Sequence, residues 1–468
     1  MIHTATLITV ASLLPFYLFL RPIGEIAVPD EQSLAPYYVV QEGDTLWDIS
    51  LRFGVLAEDL QSLNEISDPN LLNQGTQLLI PGLNGVSGRV ATVNVPVGES
   101  LQSFSRQFHL PTEQLAQINQ LVSPGQLFAG RSLVVPVESV DNQLLERTRL
   151  AAGQSHLELA VKLRTNPWRL IQSNSLPGSW GALPGEMLVL PEGKRFFVDP
   201  IVQTIKTINL EPLNPIQGKT TSILVSAPPD LVLRGSLAGY EFNFFPYQDG
   251  YVALQGIHAM TLPGLFLLRM EIESPSGEKH AISQPVLVRS GNYPFDPPLL
   301  VDAATMDPNV TIPEDELWAS LALPVSPEKK WQGLFESPVP VYLKDCWTSL
   351  FGSRRSYNGS PYNFYHGGLD FCGTSGTPLY ASADGEVVFT DFLIVRGGVT
   401  VLDHGWGVFT AYAHQSEILV QVGDQVEVGQ IIGLGGDTGR STGPHLHWEV
   451  WVGGVPVDPV DWLNNIFP

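Results

Sequence analysis

Apolar and polar positions follow two different periods along this chain, and the change of period divides it. Over roughly the first 190 residues the pattern is a repeat of about 55 residues. Gly43, Gly98 and Gly153 form one matching set, Asn64, Asn119 and Asn174 another, and Pro81, Pro136 and Pro191 a third. The apolar positions keep the same register: Leu60, Leu115 and Leu170, then Leu78, Leu133 and Leu188, then Ile80, Val135 and Leu190. Each unit predicts β-α-α-β. In the first, Tyr37-Tyr38-Val39-Val40 reads as a strand and Glu42-Gly43-Asp44-Thr45 as a turn. Thr45 caps a helix with Leu46, Ile49 and Phe53 at helical spacing. A second helix carries Leu60 and Leu63 and stops near Asn64, and Gln77 to Ile80 closes the unit before Pro81.

From about Phe196 to Arg289 the helical spacing disappears. Short β-rich runs replace it, among them Thr221 to Ser226, Tyr251 to Ile257, Gly264 to Glu273 and Ala281 to Val288, with Gly, Pro, Asn and Asp between them. That texture predicts an antiparallel, immunoglobulin-like β-sandwich. Residues 294–335 are rich in Pro and Asp and read as a linker. One helix interrupts it: Thr311-x-x-Glu314 is a capping box with Pro313 in the first turn, and Trp318 and Leu321 share a face.

The first repeat, "YYVVQEGDTLWDISLRFGVLAEDLQSLNEI" followed by "GTQLLIPG", strongly resembles a LysM domain. The resemblance implies binding of N-acetylglucosamine-containing glycans such as peptidoglycan and chitin. The second unit is a fair match. The third is degenerate, with His156 where Leu46 and Leu101 stand in the others.

Composition and charge narrow the class. Lys and Arg number 25 against 47 Asp and Glu, a formal net charge of −22, which excludes a nucleic-acid partner that would need clustered cations. Thr4 to Leu20 is an almost purely apolar run followed by Arg21 and Pro22. It is short for a span of about 20 residues and reads as an export signal or a signal anchor over 1–28. Location is then extracytoplasmic: secreted, periplasmic or wall-associated, with a possible membrane anchor. The two cysteines, Cys346 and Cys372, invite a disulfide in that compartment.

Candidate chemistry gathers at the C-terminal end. Five of the ten histidines, His366, His404, His414, His445 and His447, fall there. "GPHLHWEVWV" alternates like a strand, so His445 and His447 face one side with Leu446 opposite. "YHGGLDF" puts His366 four residues before Asp370, with two glycines that permit a turn or a close backbone approach. Neutral imidazoles with one carboxylate suit Zn²⁺, and three protein ligands leave a position open for catalysis. Cys372 is close enough in sequence to be a ligand, although the set departs from Cys-rich patterns.

His366-x-x-x-Asp370, the "AYAH" segment ending at His414, and "TGRSTGPHLHWEV" together resemble the lysostaphin-type zinc metallopeptidases from about Leu350 to Leu463. The resemblance implies His366, Asp370 and His447 as zinc ligands, and His414 and His445 as the pair that activates water and stabilises the transition state. It implies a mainly antiparallel β catalytic domain that cuts peptidoglycan peptides. His404 matches no catalytic position and reads as a turn residue; Tyr362 or Tyr365 are candidates for an oxyanion contact or for groove-wall packing. The expected chain is multidomain: LysM-like modules at 37–82, 92–137 and 147–192, a β-sandwich at 195–293, the linker at 294–335 and the zinc metallopeptidase at 340–468. The expected function is a cell-wall hydrolase with Zn²⁺ as cofactor and peptidoglycan as partner.

Three rivals remain in view. A catalytically inactive wall-binding activator would lack ligands, whereas this set is complete. A lipoyl-type carrier, suggested by "VQVGDQVEVGQIIGLGG", needs a lysine, and none follows Lys344. A pure glycan adaptor leaves the histidines unexplained. A further expectation is that the linker, through Asp302, Asp307, Asn309 or Glu314, folds over the groove and occupies the open metal position.

Overall fold

The computed structural model describes residues 35–137, 147–191, 207–323 and 325–468. The apolar run expected to direct export lies outside them. Among the described residues no helix is long and apolar enough to cross a membrane.

The repeated asparagine organises each of the first three units. Asn64 Nδ2 donates to the Leu60 carbonyl at 2.8 Å and to the Leu79 carbonyl at 2.9 Å, while its Oδ1 accepts from Leu79 N–H at 2.7 Å. Asn119 makes the same three bonds to Leu115 and Val134, and Asn174 to Leu170 and Val189. The amide thus ends the second helix and continues the ladder of the closing strand, satisfying backbone groups that a buried helix end would leave orphaned. The repeated glycines are equally determined: Gly43, Gly98 and Gly153 sit at φ +83°, +90° and +77°, where a Cβ is strained. Thr45 caps Leu46–Phe53 by accepting from Asp48 N–H at 3.1 Å.

Two of the units are fused. Pro36–Val39 pairs in parallel with Gly88–Asn94, Pro36 opposite Gly88 and Tyr37 opposite Arg89, so both units share one four-stranded sheet and one apolar core. The third keeps its own pair of strands, Arg147–Arg149 and Met187–Val189, and its own core around Leu159, Leu170 and Leu188. Ion pairs of 2.8 Å, Arg106–Glu186 and Arg147–Glu99, join it to the second.

Residues 207–288 form two four-stranded antiparallel sheets, closed on a shared core that includes Ile223, Val225, Leu268, Met270 and Val286. This body touches both neighbours. Ala129 and Ala152 donate N–H groups to the carbonyls of Pro285 and Lys279 at 2.9 and 2.8 Å. On the other side Phe245, Val252 and Leu254 join the main core of the C-terminal domain, and Lys219 pairs with Asp458 at 2.9 Å.

The segment expected to be a linker is folded onto the C-terminal domain. Asp296 N–H donates to Arg354 C=O at 2.9 Å and Leu299 N–H to Ser356 C=O at 2.8 Å. Its helix runs Pro308–Leu321, earlier than the expected start. Asp307 is the cap, accepting from Asn309 N–H at 2.9 Å, and Pro308 takes the first helical position. The Thr311–Glu314 capping box does not form, because the Glu314 carboxylate accepts from Val395 N–H, Arg396 N–H and the Arg396 side chain at 2.9–3.1 Å.

The C-terminal domain is a mainly antiparallel sheet. Its central order is Trp347–Ser349, Leu369–Cys372, His445–Val452, Val408–Ile418, Gly397–Asp403, Gly385–Leu393 and Gln425–Val426. Cys346 and Cys372 are disulfide-bonded, tying the edge strand to its neighbour two residues from Asp370.

Candidate metal centre

Strand register brings the C-terminal side chains together. Leu369–Cys372 pairs with His445–Val452 so that Asp370 lies opposite His447, and Val408–Ile418 places Ala413 opposite His447, with His414 next. Alternation along His445–Val452 sends His445, His447 and Glu449 to the groove side and Leu446, Trp448 and Val450 into the core. His366 enters just before the Leu369 strand. Gly368 lets that turn close: a Cβ there would meet the Trp448 carbonyl and stand 2.9 Å from His447 Cε1.

Three candidate ligand atoms converge. His366 Nε2, Asp370 Oδ1 and His447 Nδ1 are 2.7–2.9 Å from one another. The hydrogens can be placed by elimination. His366 Nδ1 is 2.9 Å from the Leu350 carbonyl, which only accepts, so Nδ1 carries the proton and Nε2 keeps a lone pair. His447 Nε2 is 2.9 Å from Glu449 Oε1, so that nitrogen donates and Nδ1 keeps its lone pair. Two ring nitrogens and a carboxylate oxygen aimed at each other repel unless a cation, a proton or a metal ion, stands among them. Among the described residues, this trio is the group of His, Cys, Asp or Glu side chains able to close on an ion.

His414 and His445 border the trio, with ring centroids 4.8 Å apart. His414 Nδ1 donates to Thr438 C=O at 2.7 Å, and His445 Nδ1 to Gly443 C=O at 2.8 Å, so both direct Nε2 elsewhere. All five side chains line one groove of about 1480 Å³.

Residues 364–459 match the family described as Peptidase family M23, and residues 38–81 and 95–136 match the LysM domain. The chain carries a peptidase family M23 domain. The peptidoglycan DD-endopeptidase ShyA of Vibrio cholerae serotype O1 is 45% identical over 119 residues, which are 25% of this chain and 28% of that protein. The DD-carboxypeptidase/endopeptidase Mpg of Neisseria meningitidis serogroup B is 45% identical over 95 residues, 20% of this chain and 22% of that one. Among solved structures, the catalytic domain of lysostaphin from Staphylococcus simulans is similar at 30% identity with a TM-score of 0.21, covering 29% of this chain and 93% of that chain. The chain therefore spans less than a third of the length of these two relatives.

The electrostatics of the M23 site follow from burial and two carboxylates. Burial opposes ionisation of Asp370, but the charges and hydrogen bonds of His366 and His447 outweigh it and hold the carboxyl well below the usual range. Burial likewise opposes charge on His447, yet its bonds to Asp370 and Glu449 and their charges raise its pKa to about 9. A proton on His447 is thus what a metal must displace. Burial, then the neighbouring His447 and His445, push His414 down to about 3, which keeps it neutral.

Other expected candidates lie elsewhere. His404 is fully buried, donating from Nδ1 to Asp384 C=O at 2.7 Å and meeting Thr410 Oγ1 at 2.8 Å from Nε2. The Tyr362 hydroxyl donates to Asp296 C=O at 2.9 Å, and the Tyr365 hydroxyl is 3.1 Å from His258 Nε2, so both are engaged by the groove wall. Cys372 is spent in the disulfide and is no ligand. The linker forms a wall of the groove through Met306, Thr311, Asp315 and Trp318. None of the four expected residues takes the candidate metal position: Asp302 accepts from Ala304 N–H, Asp307 caps the helix, Asn309 Nδ2 donates to Asp307 and Glu314 holds Arg396. Sequence reasoning missed Glu449, although it continues the His445-x-His447 alternation by one more step. It accepts from Trp318 and Trp451 Nε1–H at 3.1 and 2.6 Å as well as from His447.

Proposed function

We propose that this chain is an extracytoplasmic zinc endopeptidase that hydrolyses the peptide cross-links of peptidoglycan and holds the glycan through its LysM domains. The observation that carries the reading is the convergence of His366 Nε2, Asp370 Oδ1 and His447 Nδ1, with both outer imidazole N–H groups already given away. Zinc bound there supplies a Lewis acid that polarises the scissile carbonyl and lowers the pKa of water. Ligand-holding is the work of the trio, and Leu350 and Glu449 fix its tautomers.

His414 and His445 share the remaining work: a ring with a bare Nε2 accepts the proton of the attacking water, and a ring that carries a proton on Nε2 steadies the developing oxyanion. Their Nδ1 bonds to main-chain carbonyls hold Nε2 as the reactive atom. The relatives named as peptidoglycan DD-endopeptidase and DD-carboxypeptidase/endopeptidase support the substrate class. The disulfide and the LysM domains support an extracytoplasmic location, with the apolar N-terminal run as the means of export. The two facing sheets of residues 207–288 support an immunoglobulin-like spacer, and the β-α-α-β order of 147–189 supports a third, degenerate LysM-like unit. Completeness of the five-residue site speaks against the inactive activator.

The test is incubation of purified peptidoglycan with the zinc-loaded chain, read by mass spectrometry beside a His445→Ala control. New peptide termini, absent from the control and from chelated protein, are expected. Intact peptides after treatment with zinc-loaded protein would sink the proposal.

A further inference from the structure

Three guanidinium groups line the M23 groove in a chain whose net charge is −22: Arg355, Arg396 and Arg440. Two of them are neutralised. Arg355 lies 3.5 Å from Asp296 and 3.6 Å from Asp370, and Arg396 holds Glu314 at 3.1 Å and Asp315 at 2.9 Å. The groove's acids are equally taken up. Asp370 faces His366 and His447, and Glu449 accepts from His447, Trp318 and Trp451. Arg440 is what remains, with no ion pair among the described residues.

Its surroundings do not compensate. The guanidinium stacks over Tyr357, 4.6 Å from the ring centroid, and reaches the Thr305 carbonyl and Met306 sulfur only at 3.4 Å. Burial disfavours its charge, Tyr357 offsets part of that, the charges of Arg396 and Arg355 add to the cost, and Asp315, whose field opposes it, already belongs to Arg396; the net effect is still unfavourable. A half-buried cation with long, few hydrogen bonds is expensive unless an anion arrives to meet it. Its place along the chain is equally pointed: Ser441, the next residue, touches His445 Nδ1 with its hydroxyl at 3.1 Å.

We propose that Arg440 is the subsite for a free carboxylate of the substrate peptide beside the scissile bond, a specificity determinant of the hydrolase. This rests on the endopeptidase reading above. A carboxylate fits the planar guanidinium fork through two parallel N–H···O bonds, and the Tyr357 ring supports the fork from one side. The same contact selects against substrates whose carboxylates are amidated, because an amide nitrogen brings donors to a group that only donates.

The full-length protein is offered one cross-linked muropeptide in its free-acid form and in its amidated form. Binding is read by calorimetry and cleavage by mass spectrometry. The free acid is expected to bind at least about tenfold more tightly, the worth of a charge-assisted pair in a desolvated groove. Arg440→Gln should erase that preference, Arg440→Lys should keep part of it, and both should leave the bound-zinc content unchanged. Equal binding of the two forms by the wild-type protein overturns the assignment, as does an undiminished preference in the glutamine variant, which would make Arg440 a strut between the groove and residues 305–306. Preferential binding without cleavage of either form would support the carboxylate subsite while refuting the hydrolase reading.

Discussion

Glu449 shows how much the candidate metal site depends on a residue outside the converging trio. Its buried carboxylate accepts three N–H groups, from His447, Trp318 and Trp451, and so fixes which nitrogen of His447 is free. Glu449→Gln keeps the shape but removes the charge, and such outer partners typically govern about 10- to 100-fold in metal affinity. The variant should lose zinc to a chelator in competition at least about tenfold more readily, with its fold intact by circular dichroism. Undiminished zinc retention would show that the tautomer is held by something else. His404 gives a separate signal. Burial lowers its pKa to about 4, against roughly 6.5 in the unfolded chain. A histidine held neutral contributes its full stability above pH 6.5 and loses it as pH falls toward 4, because the unfolded chain takes up the proton first. That loss is about 2–3 kcal/mol between pH 7 and 4.5. His404→Gln should flatten this part of the profile in denaturant titrations at the two pH values, and an unchanged slope would refute it. The paired histidines were legible because alternation along a strand is local. The carbonyls of Leu350, Thr438 and Gly443 were not, since nothing in a sequence says which main-chain oxygen a fold will bring to an imidazole.

The elements divide in the same way. Strands and helices of the repeats could be read because apolar spacing and the Gly and Asn positions agree with each other. The Pro308–Leu321 helix begins earlier than expected because two cap signals overlap within a few residues. Asp307 followed by Pro308 outweighs Thr311-x-x-Glu314 once Arg396, more than 80 residues away, claims the Glu314 carboxylate. Long-range pairing of that kind leaves no local mark. The disulfide is the clearest case of an element held from outside. The Trp347–Ser349 strand is three residues at the sheet edge, and Cys346–Cys372 closes a loop with a sequence separation of 26 beside it. Loop-closure entropy for that length is worth about 3.5 kcal/mol. The Cys346→Ser, Cys372→Ser double variant should therefore unfold about 3 kcal/mol more easily in denaturant. It should also bind zinc more weakly, since Asp370 rides on the strand that Cys372 ends. A double variant as stable as the wild type would mean that the strand's remaining ladder bonds suffice.

At the scale of the molecule, the repeats are docked as well as tandem. Units one and two share a sheet, units two and three share ion pairs, and both contact the eight-stranded body that in turn packs against the M23 domain. That body also reaches the groove: Met260 N–H donates to His258 Nδ1 at 3.1 Å, and His258 Nε2 faces the Tyr365 hydroxyl. The period of the repeats was legible in the sequence, but the fusion of the first two was not, because a parallel pairing between Pro36 and Gly88 involves residues outside the repeated positions. If the LysM domains hold glycan as proposed, a continuous path of contacts keeps it at a limited range of distances from the groove, which would raise the local concentration of cross-links without altering the chemistry. Removing residues 37–191 should therefore separate two quantities. Sedimentation with intact sacculi should weaken, and the rate on the insoluble wall should fall with it, while kcat on a soluble cross-linked muropeptide stays within about twofold. If the soluble rate fell equally, the repeats would be supporting the fold of the groove through the middle body. Undiminished sedimentation would place wall affinity in the M23 domain itself.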